Sequence, residues 1–222
     1  MTRIEAARDL SVVIRCWNDS SVLQCIDSID LDVEVIVSFT GADDLAARIR
    51  EHGARCVRAP RSNLSRVSNI GFNATTYDKV ILTDSDTVFE PGCVGRLRDA
   101  LGTFRAARAR LRFEGDYGLS KIVAEARDYV NGLPLLYTPG IAVRKDLLPE
   151  VGGFLFNDPV PYAVDTDLDF RVKRARVPVA YLTDAWLRHT AVSVRHDLRA
   201  AYRIGGGCRT QGGRVRNRRV PP

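Results

Sequence analysis

Over its first ninety residues the chain alternates short β-branched and apolar runs with amphipathic stretches, and this alternation restricts the fold more than any other feature. The runs fall at 10–16, 33–38, 54–58 and 79–83 and have the length of strands. The stretches between them, 20–29, 43–52 and 64–75, read as helices. Strands separated by helices pair in parallel, so the pattern predicts a mostly parallel α/β sheet flanked by helices. Pro91, after Glu90, is well placed to open a further helix running to about Ala109.

Beyond that point the pattern changes. It predicts a helix over 119–131, short strands around 135–143 and a turn-rich segment, 151–162, with Gly152-Gly153 and two prolines. A helix over about 165–175 follows, then strands over 177–182 and 186–189. With 45% apolar residues, 222 residues can bury a substantial core. No run of about 18 apolar residues is present, and Met1 to Asp9 is charged and lacks the apolar centre of a secretion signal. The expected location is therefore cytoplasmic. The five cysteines, Cys16, Cys25, Cys56, Cys93 and Cys208, are scattered without a C-x-x-C pair, so they are expected to be reduced and mostly buried. The net charge of +6 favours anionic partners, and its excess is concentrated between Arg195 and Arg219, where eight arginines face one acid, Asp197. Gly205-Gly206-Gly207, Gly212-Gly213 and two closing prolines mark residues 205–222 as an irregular basic tail.

The segment from Tyr77 to Phe89 is the most informative for chemistry: an apolar strand, Lys79 to Thr83, ends abruptly in Asp84-Ser85-Asp86. Ligands of open α/β sheets sit beyond the carboxyl ends of strands. Hard carboxylate oxygens at such a place suit Mg²⁺ or Mn²⁺ bridging to substrate phosphates. The plain alternative is that the two acids cap the turn before the next helix. A second acidic cluster, Asp165-Thr166-Asp167-Leu168-Asp169, opens a helix, where a carboxylate can take a proton from an attacking hydroxyl or merely complement the helix dipole. Asp167 and Arg171 also form a favourable i,i+4 pair. His189 can complete a metal site begun by carboxylates, although a lone histidine is more often structural. Trp17 and Trp186 can each stack on a base or sugar ring, but core packing is the expected role of both.

Order and spacing change the weight of these features, because together they resemble glycosyltransferase family 2, inverting enzymes of the GT-A fold. The resemblance runs from about Leu10 to His189. Ser11-Val12-Val13-Ile14 with Asn18 looks like that family's first strand and nucleotide loop. Asn69-Ile70-Gly71 followed by Lys79 to Asp86 is similar to its N-x-G helix, strand and D-x-D motif. Gly152-Gly153-Phe154 resembles its glycine-rich turn, Asp165-Thr166-Asp167-Leu168 with Arg171 its acid-bearing helix, and His189 its metal-side histidine.

The resemblance implies a GT-A domain over residues 1–204, with a nucleotide-sugar half at about 10–110 and a smaller mixed acceptor half at about 111–204. It implies Asp165 as catalytic base, and Arg15, Asn18, Ser38, Arg66, Asp84, Ser85 and Asp86 around a nucleotide sugar. Asp84, Asp86 and His189 would hold Mn²⁺ or Mg²⁺, with Gly140, Phe154 and Trp186 on the acceptor side. Arg66 and the basic tail would add positive charge near the leaving diphosphate. Three departures stand out. Arg15 replaces a usual proline, Ser38-Phe39-Thr40-Gly41 replaces an Asp-Asp-Gly-Ser turn, and Val164 replaces a Glu before the base. The second departure leaves the donor open: a UDP-sugar is favoured, ahead of GDP- and dTDP-sugars. The acceptor is an unidentified hydroxyl compound. Short length and the lack of an apolar span disfavour a processive polysaccharide synthase, and arginine far in excess of lysine hints at a GC-rich bacterial source.

Three other classes can be set against the sequence. Asp84-Ser85-Asp86-Thr87-Val88 matches the signature of haloacid-dehalogenase-type phosphatases with Asp84 as nucleophile, but those chains place it on their first strand and here three strands precede it. A nucleotidyltransferase needs a glycine-rich loop after the first strand, and Arg15-Cys16-Trp17-Asn18-Asp19 has no glycine. A non-catalytic module gripping nucleic acid through the arginine-rich tail is disfavoured by the single aromatic there, Tyr202. The tail is expected instead to fold over the donor diphosphate or to dock peripherally on an anionic acceptor or membrane, with a merely solvated terminus as the alternative.

Overall fold

The computed structural model describes residues 9–115, 118–160, 163–190, 194–195, 198–199 and 201–203. The basic tail of the sequence reading, 205–222, and Cys208 lie outside them. The chain alternates as the sequence predicts: β1 (Leu10–Trp17), α1 (Val22–Asp27), β2 (Glu34–Thr40), α2 (Asp43–Glu51), β3 (Arg55–Arg58), α3 (Leu64–Asn73) and β4 (Lys79–Asp84). A short β5 (Thr87–Phe89), α4 (Cys93–Thr103), β6 (Ala106–Glu114) and α5 (Gly118–Arg127) follow. After a 3₁₀ turn come β7 (Ile141–Arg144), a second 3₁₀ turn, α6 (Val164–Arg174) and β8 (Val179–Thr190).

One eight-stranded sheet, in the order β3-β2-β1-β4-β7-β6-β8-β5, runs through both halves of the chain. The pairs β1–β2, β2–β3, β1–β4 and β6–β8 are parallel; β4–β7, β6–β7 and β5–β8 are antiparallel. The chain leaves β1 towards β2 and β3 and returns to place β4 on its other side. That reversal opens a crevice at the carboxyl ends of β1 and β4, where open α/β sheets bind ligands.

Alternating strand residues feed two cores. Val12, Ile14 and Val37 pack with α1, α2 and α4 on one face, while Val13, Ile36, Val80 and Leu82 pack with Phe72 of α3 and Leu168 and Val172 of α6 on the other. With both faces covered, the central strands read as apolar runs without polar alternation. Burial raises the thiols of Cys16 to about 11 and of Cys25 and Cys93 to about 12, so they stay protonated, and no disulfide is formed by the described cysteines.

The second half departs from the sequence reading in detail. The helix after Pro91 ends at Thr103 rather than near Ala109, because the chain turns extended at Phe104 and enters β6. Alanine alternates with arginine from Ala107 to Arg110, before Leu111 and Phe113 continue the period of two, and alanine's helix propensity masks the start of the strand. The strands expected around 135–143 reduce to β7 alone. The stretch before β7 is held instead by Arg108, whose buried guanidinium donates to the carbonyls of Val130, Leu133 and Leu135. The two strands expected at 177–182 and 186–189 are one, β8, whose pairing with β6 shifts register between Arg108 and Arg110.

Candidate active site

Parallel register sets Arg15 of β1 directly opposite Asp84 of β4. The Arg15 fork closes on that carboxylate, Nε to Oδ1 and Nη2 to Oδ2, the latter at 2.9 Å. Burial opposes the Arg15 charge, but Asp84, then Asp165 and Asp86, outweigh it and hold the guanidinium above its ordinary pKa.

Two residues on, Asp86 faces His189 of β8, with Oδ1 and Nε2 3.6 Å apart. His189 Nδ1 lies 2.8 Å from the Thr190 carbonyl. A carbonyl only accepts, so Nδ1 carries a proton, which leaves Nε2 to face Asp86. Desolvation raises the Asp86 pKa, and Asp84 and Asp19 add to the rise while His189 opposes it. One ligand atom from each of Asp84, Asp86 and His189 lies within 4.8 Å of the others. Two carboxylates and an imidazole so placed have the donor chemistry that Mn²⁺ or Mg²⁺ takes, and the orienting bond on Nδ1 is the support a ligating histidine uses.

A cavity of about 420 Å³ opens over this cluster. Arg15, Asp84, Ser85, Asp86 and His189 line it, together with Trp17, Asp19, Arg61 and Arg127, which the sequence reading left out of the site. Ser85 Oγ donates to Asp19 at 2.8 Å, joining the D-x-D turn to the loop after β1. Trp17 is 61% exposed at the rim, with the Arg61 guanidinium 4.8 Å from its ring centre, so the expectation of core packing for Trp17 is corrected. The signal was available: Trp17 ends an apolar strand, beside the place where a ligand crevice forms.

The other expected residues are placed elsewhere. Asn18, with positive φ, accepts from the Ala42 amide and ties the end of β1 to the loop after β2. Ser38 is buried and donates to the Val67 carbonyl, anchoring α3. Arg66 is exposed on the first turn of α3 and does not line the cavity; Arg61 does. Gly140 has φ 89°, and a Cβ there would meet Leu187 Cδ1 at 2.8 Å, so it serves the turn into β7. Phe154 lies against Arg171, 4.5 Å from ring centre to guanidinium. Trp186 sits between Arg110 and Arg112, and the alternation of β8 turns it to the face opposite His189.

Asp165 opens α6 outside the cavity lining. Its Oδ2 accepts from the Thr138 amide at 3.2 Å and hydroxyl at 3.3 Å, and Oδ1 from the Thr166 amide. Burial raises its pKa, and the Arg15 charge works against the rise. The Thr138 hydroxyl also receives Arg15 Nη2 at 3.3 Å, so Arg15 and Thr138 connect the D-x-D turn to Asp165. Asp167 pairs with Arg171 at 2.9 Å, while Asp169, 4% exposed, accepts from the Leu136 amide and pairs with Lys173.

A mostly parallel sheet that reverses at β1 and β4, gains antiparallel β7 and carries a D-x-D turn at the carboxyl end of β4 has the GT-A glycosyltransferase fold. The family model described as glycosyl transferase family 2 matches residues 11–118, so that this stretch of the chain is similar to that family. Glucosyl-3-phosphoglycerate synthase from Mycobacterium tuberculosis, solved with Mn²⁺, UDP and glucosyl-3-phosphoglycerate, shares 21% identity and superimposes with a TM-score of 0.68, over 93% of this chain and 81% of that one. The same enzyme solved with Mg²⁺ and UDP gives a TM-score of 0.65 at 20% identity, over 93% and 80%. S. aureus TarS 1-349 with UDP-GlcNAc gives 0.65 at 13% identity, over 83% of this chain and 59% of that one. At these identities the likeness carries the fold. No curated protein sequence matches the chain.

Proposed function

We propose that this protein transfers a sugar from a nucleoside-diphosphate donor to an acceptor hydroxyl with inversion at the sugar carbon. The observation that carries this reading is the Asp84, Asp86 and His189 trio, whose ligand atoms lie within 4.8 Å of one another beneath a cavity at the carboxyl ends of β1 and β4. The UDP and Mn²⁺ or Mg²⁺ complexes of the structural neighbours favour a UDP-sugar and a divalent cation. Asp84, Asp86 and His189 would hold that cation, which when bound neutralises charge on a diphosphate leaving group. Trp17 and Arg61 offer a flat, cationic rim for the base, in place of the acid that the Ser38 to Gly41 turn lacks.

Asp165 is the base. Its raised pKa keeps it basic enough to take a proton, and Arg15 and three N–H and O–H donors favour its ionised form. The acceptor hydroxyl loses its proton to Asp165 as its oxygen attacks the anomeric carbon, the bond to the diphosphate breaks, and the configuration inverts in one displacement. No helix among the described residues is long and apolar enough to cross a membrane, which agrees with a cytoplasmic enzyme, and the arginines of the tail would serve peripheral attachment.

Thermal shift with UDP, GDP and dTDP, with and without Mn²⁺, tests the reading on the wild type and on Asp86→Ala. One nucleotide is expected to raise the Tm only with metal, and the effect to vanish in the variant. No shift from any of the three sinks the reading.

A further inference from the structure

The metal-side acids carry a cation of their own. Arg15 grips both oxygens of Asp84 through Nε and Nη2, and the β1–β4 register fixes its backbone opposite that acid. Its Nη1 is buried without a hydrogen-bond partner, so Asp84 holds the guanidinium there with one of its donors unsatisfied. The two carboxylates of the trio bring two negative charges, and Arg15 cancels one of them at contact distance. A divalent cation entering alone meets a site of half the charge its acids imply. An incoming diphosphate changes that balance, because its own negative charge offsets Arg15.

We propose that Arg15 is a resident counter-ion to Asp84 which keeps the site's affinity for a free divalent cation low, so that metal and diphosphate bind cooperatively instead of the metal first. This rests on the transferase reading, and it makes Arg15 a positioning residue acting through Asp84. Its place supports the assignment: Arg15 lines the same cavity as Asp84 and Asp86. Cooperativity of this kind is reciprocal, so the metal must also tighten diphosphate binding by the same factor.

Calorimetric titration of the full chain with Mn²⁺ alone, and with Mn²⁺ in saturating inorganic pyrophosphate, tests it without reference to turnover. In the wild type, pyrophosphate is expected to tighten Mn²⁺ binding by roughly tenfold or more, a typical coupling between linked sites. Arg15→Met and Arg15→Gln, both neutral, are expected to tighten binding of Mn²⁺ alone by about tenfold, the order expected for removing one unit charge a few ångströms away. They should also shrink the pyrophosphate effect, while Arg15→Lys stays near the wild type. Circular dichroism and Tm establish that each variant is folded. Folded neutral variants with wild-type affinity for Mn²⁺ overturn the proposal, as does a wild type whose Mn²⁺ affinity ignores pyrophosphate, even if no variant folds. Absence of Mn²⁺ binding in every arm removes the metal reading of the trio and this inference with it, whereas Mn²⁺ binding that is insensitive to Arg15 removes the inference alone.

Discussion

Two segments of this chain are rich in aspartate, Asp84-Ser85-Asp86 and Asp165-Thr166-Asp167-Leu168-Asp169, and the fold uses them in opposite ways. The first sits at the carboxyl end of β4, where the strand stops and the side chains turn into the cavity. Asp84 and Asp86 converge there with His189. The second winds into α6, whose turn sends each acid to a different partner: Asp165 to Thr138, Asp167 to Arg171, Asp169 to Leu136 and Lys173. A strand end gathers neighbouring acids, and a helix distributes them. Of the three on α6, Asp165 alone is linked, through Thr138 and Arg15, back to the first segment.

That contrast can be broken most sharply at Asp165. If it is the base, Asp165→Asn is expected to lower kcat by about 10²–10⁴-fold, the range for loss of a general base. Mn²⁺-dependent nucleotide binding should survive, because Asp165 lies outside the cavity lining. An equal loss in Asp167→Asn would erase the distinction among the acids of α6. Asp169→Ala is expected to leave nucleotide binding unchanged but to cost roughly 1–3 kcal/mol in stability, because it strands the Leu136 amide in the core. Denaturant titration measures that cost, and weakened nucleotide binding in a folded Asp169→Ala protein would show that α6 does not keep its acids apart.

The smallest effect sharpens the comparison with an acid given wholly to structure. Glu34, at the start of β2, accepts from Ser11, from the amide and hydroxyl of Thr76, and faces Arg55. Desolvation works against its charge, but the Ser11 and Thr76 bonds and then Arg55 prevail and hold its pKa below the ordinary value. A lowered folded pKa means stability that is present above the unfolded value, about 4.3, and is lost as pH falls through the folded one. Glu34→Gln is expected to cost about 1 kcal/mol at pH 7. Thermal melts from pH 7 to 3 should show the gap from wild type closing below about pH 4, with no change in nucleotide binding; a gap independent of pH would mean that Glu34 acts through shape alone.

The sequence was legible where one period governs a whole element. The strands β1, β2, β3 and β4, the helices between them, and α6 all appear within a few residues of their predicted bounds, because two-faced burial leaves apolar runs and one-faced burial leaves a helical period. It was hard to read where a residue's role depends on distant partners. Arg108 looks like an exposed arginine until the carbonyls around Val130 and Leu135 converge on it, and the start of β6, as far as Ala109, reads as helix because it is rich in alanine. The acids of the trio stand out where an apolar strand stops, and the family resemblance adds the histidine; Trp17 at a strand end carries a signal of the same kind, but nothing local distinguishes Asp19, Arg61 and Arg127 from solvated side chains.

Taken alone, the sequence determined the alternating α/β class, the strand that ends in two acids and the order of motifs, because these follow from local periodicity and from where an apolar run stops. Tertiary structure decided the rest. Parallel register set Arg15 against Asp84, the antiparallel pairing of β5 with β8 carried His189 to Asp86 across a hundred residues of chain, and the turn before β7 brought Thr138 to Asp165. Those contacts join residues far apart in the chain, and which of them form depends on strand order and register, quantities that no local pattern of side chains encodes.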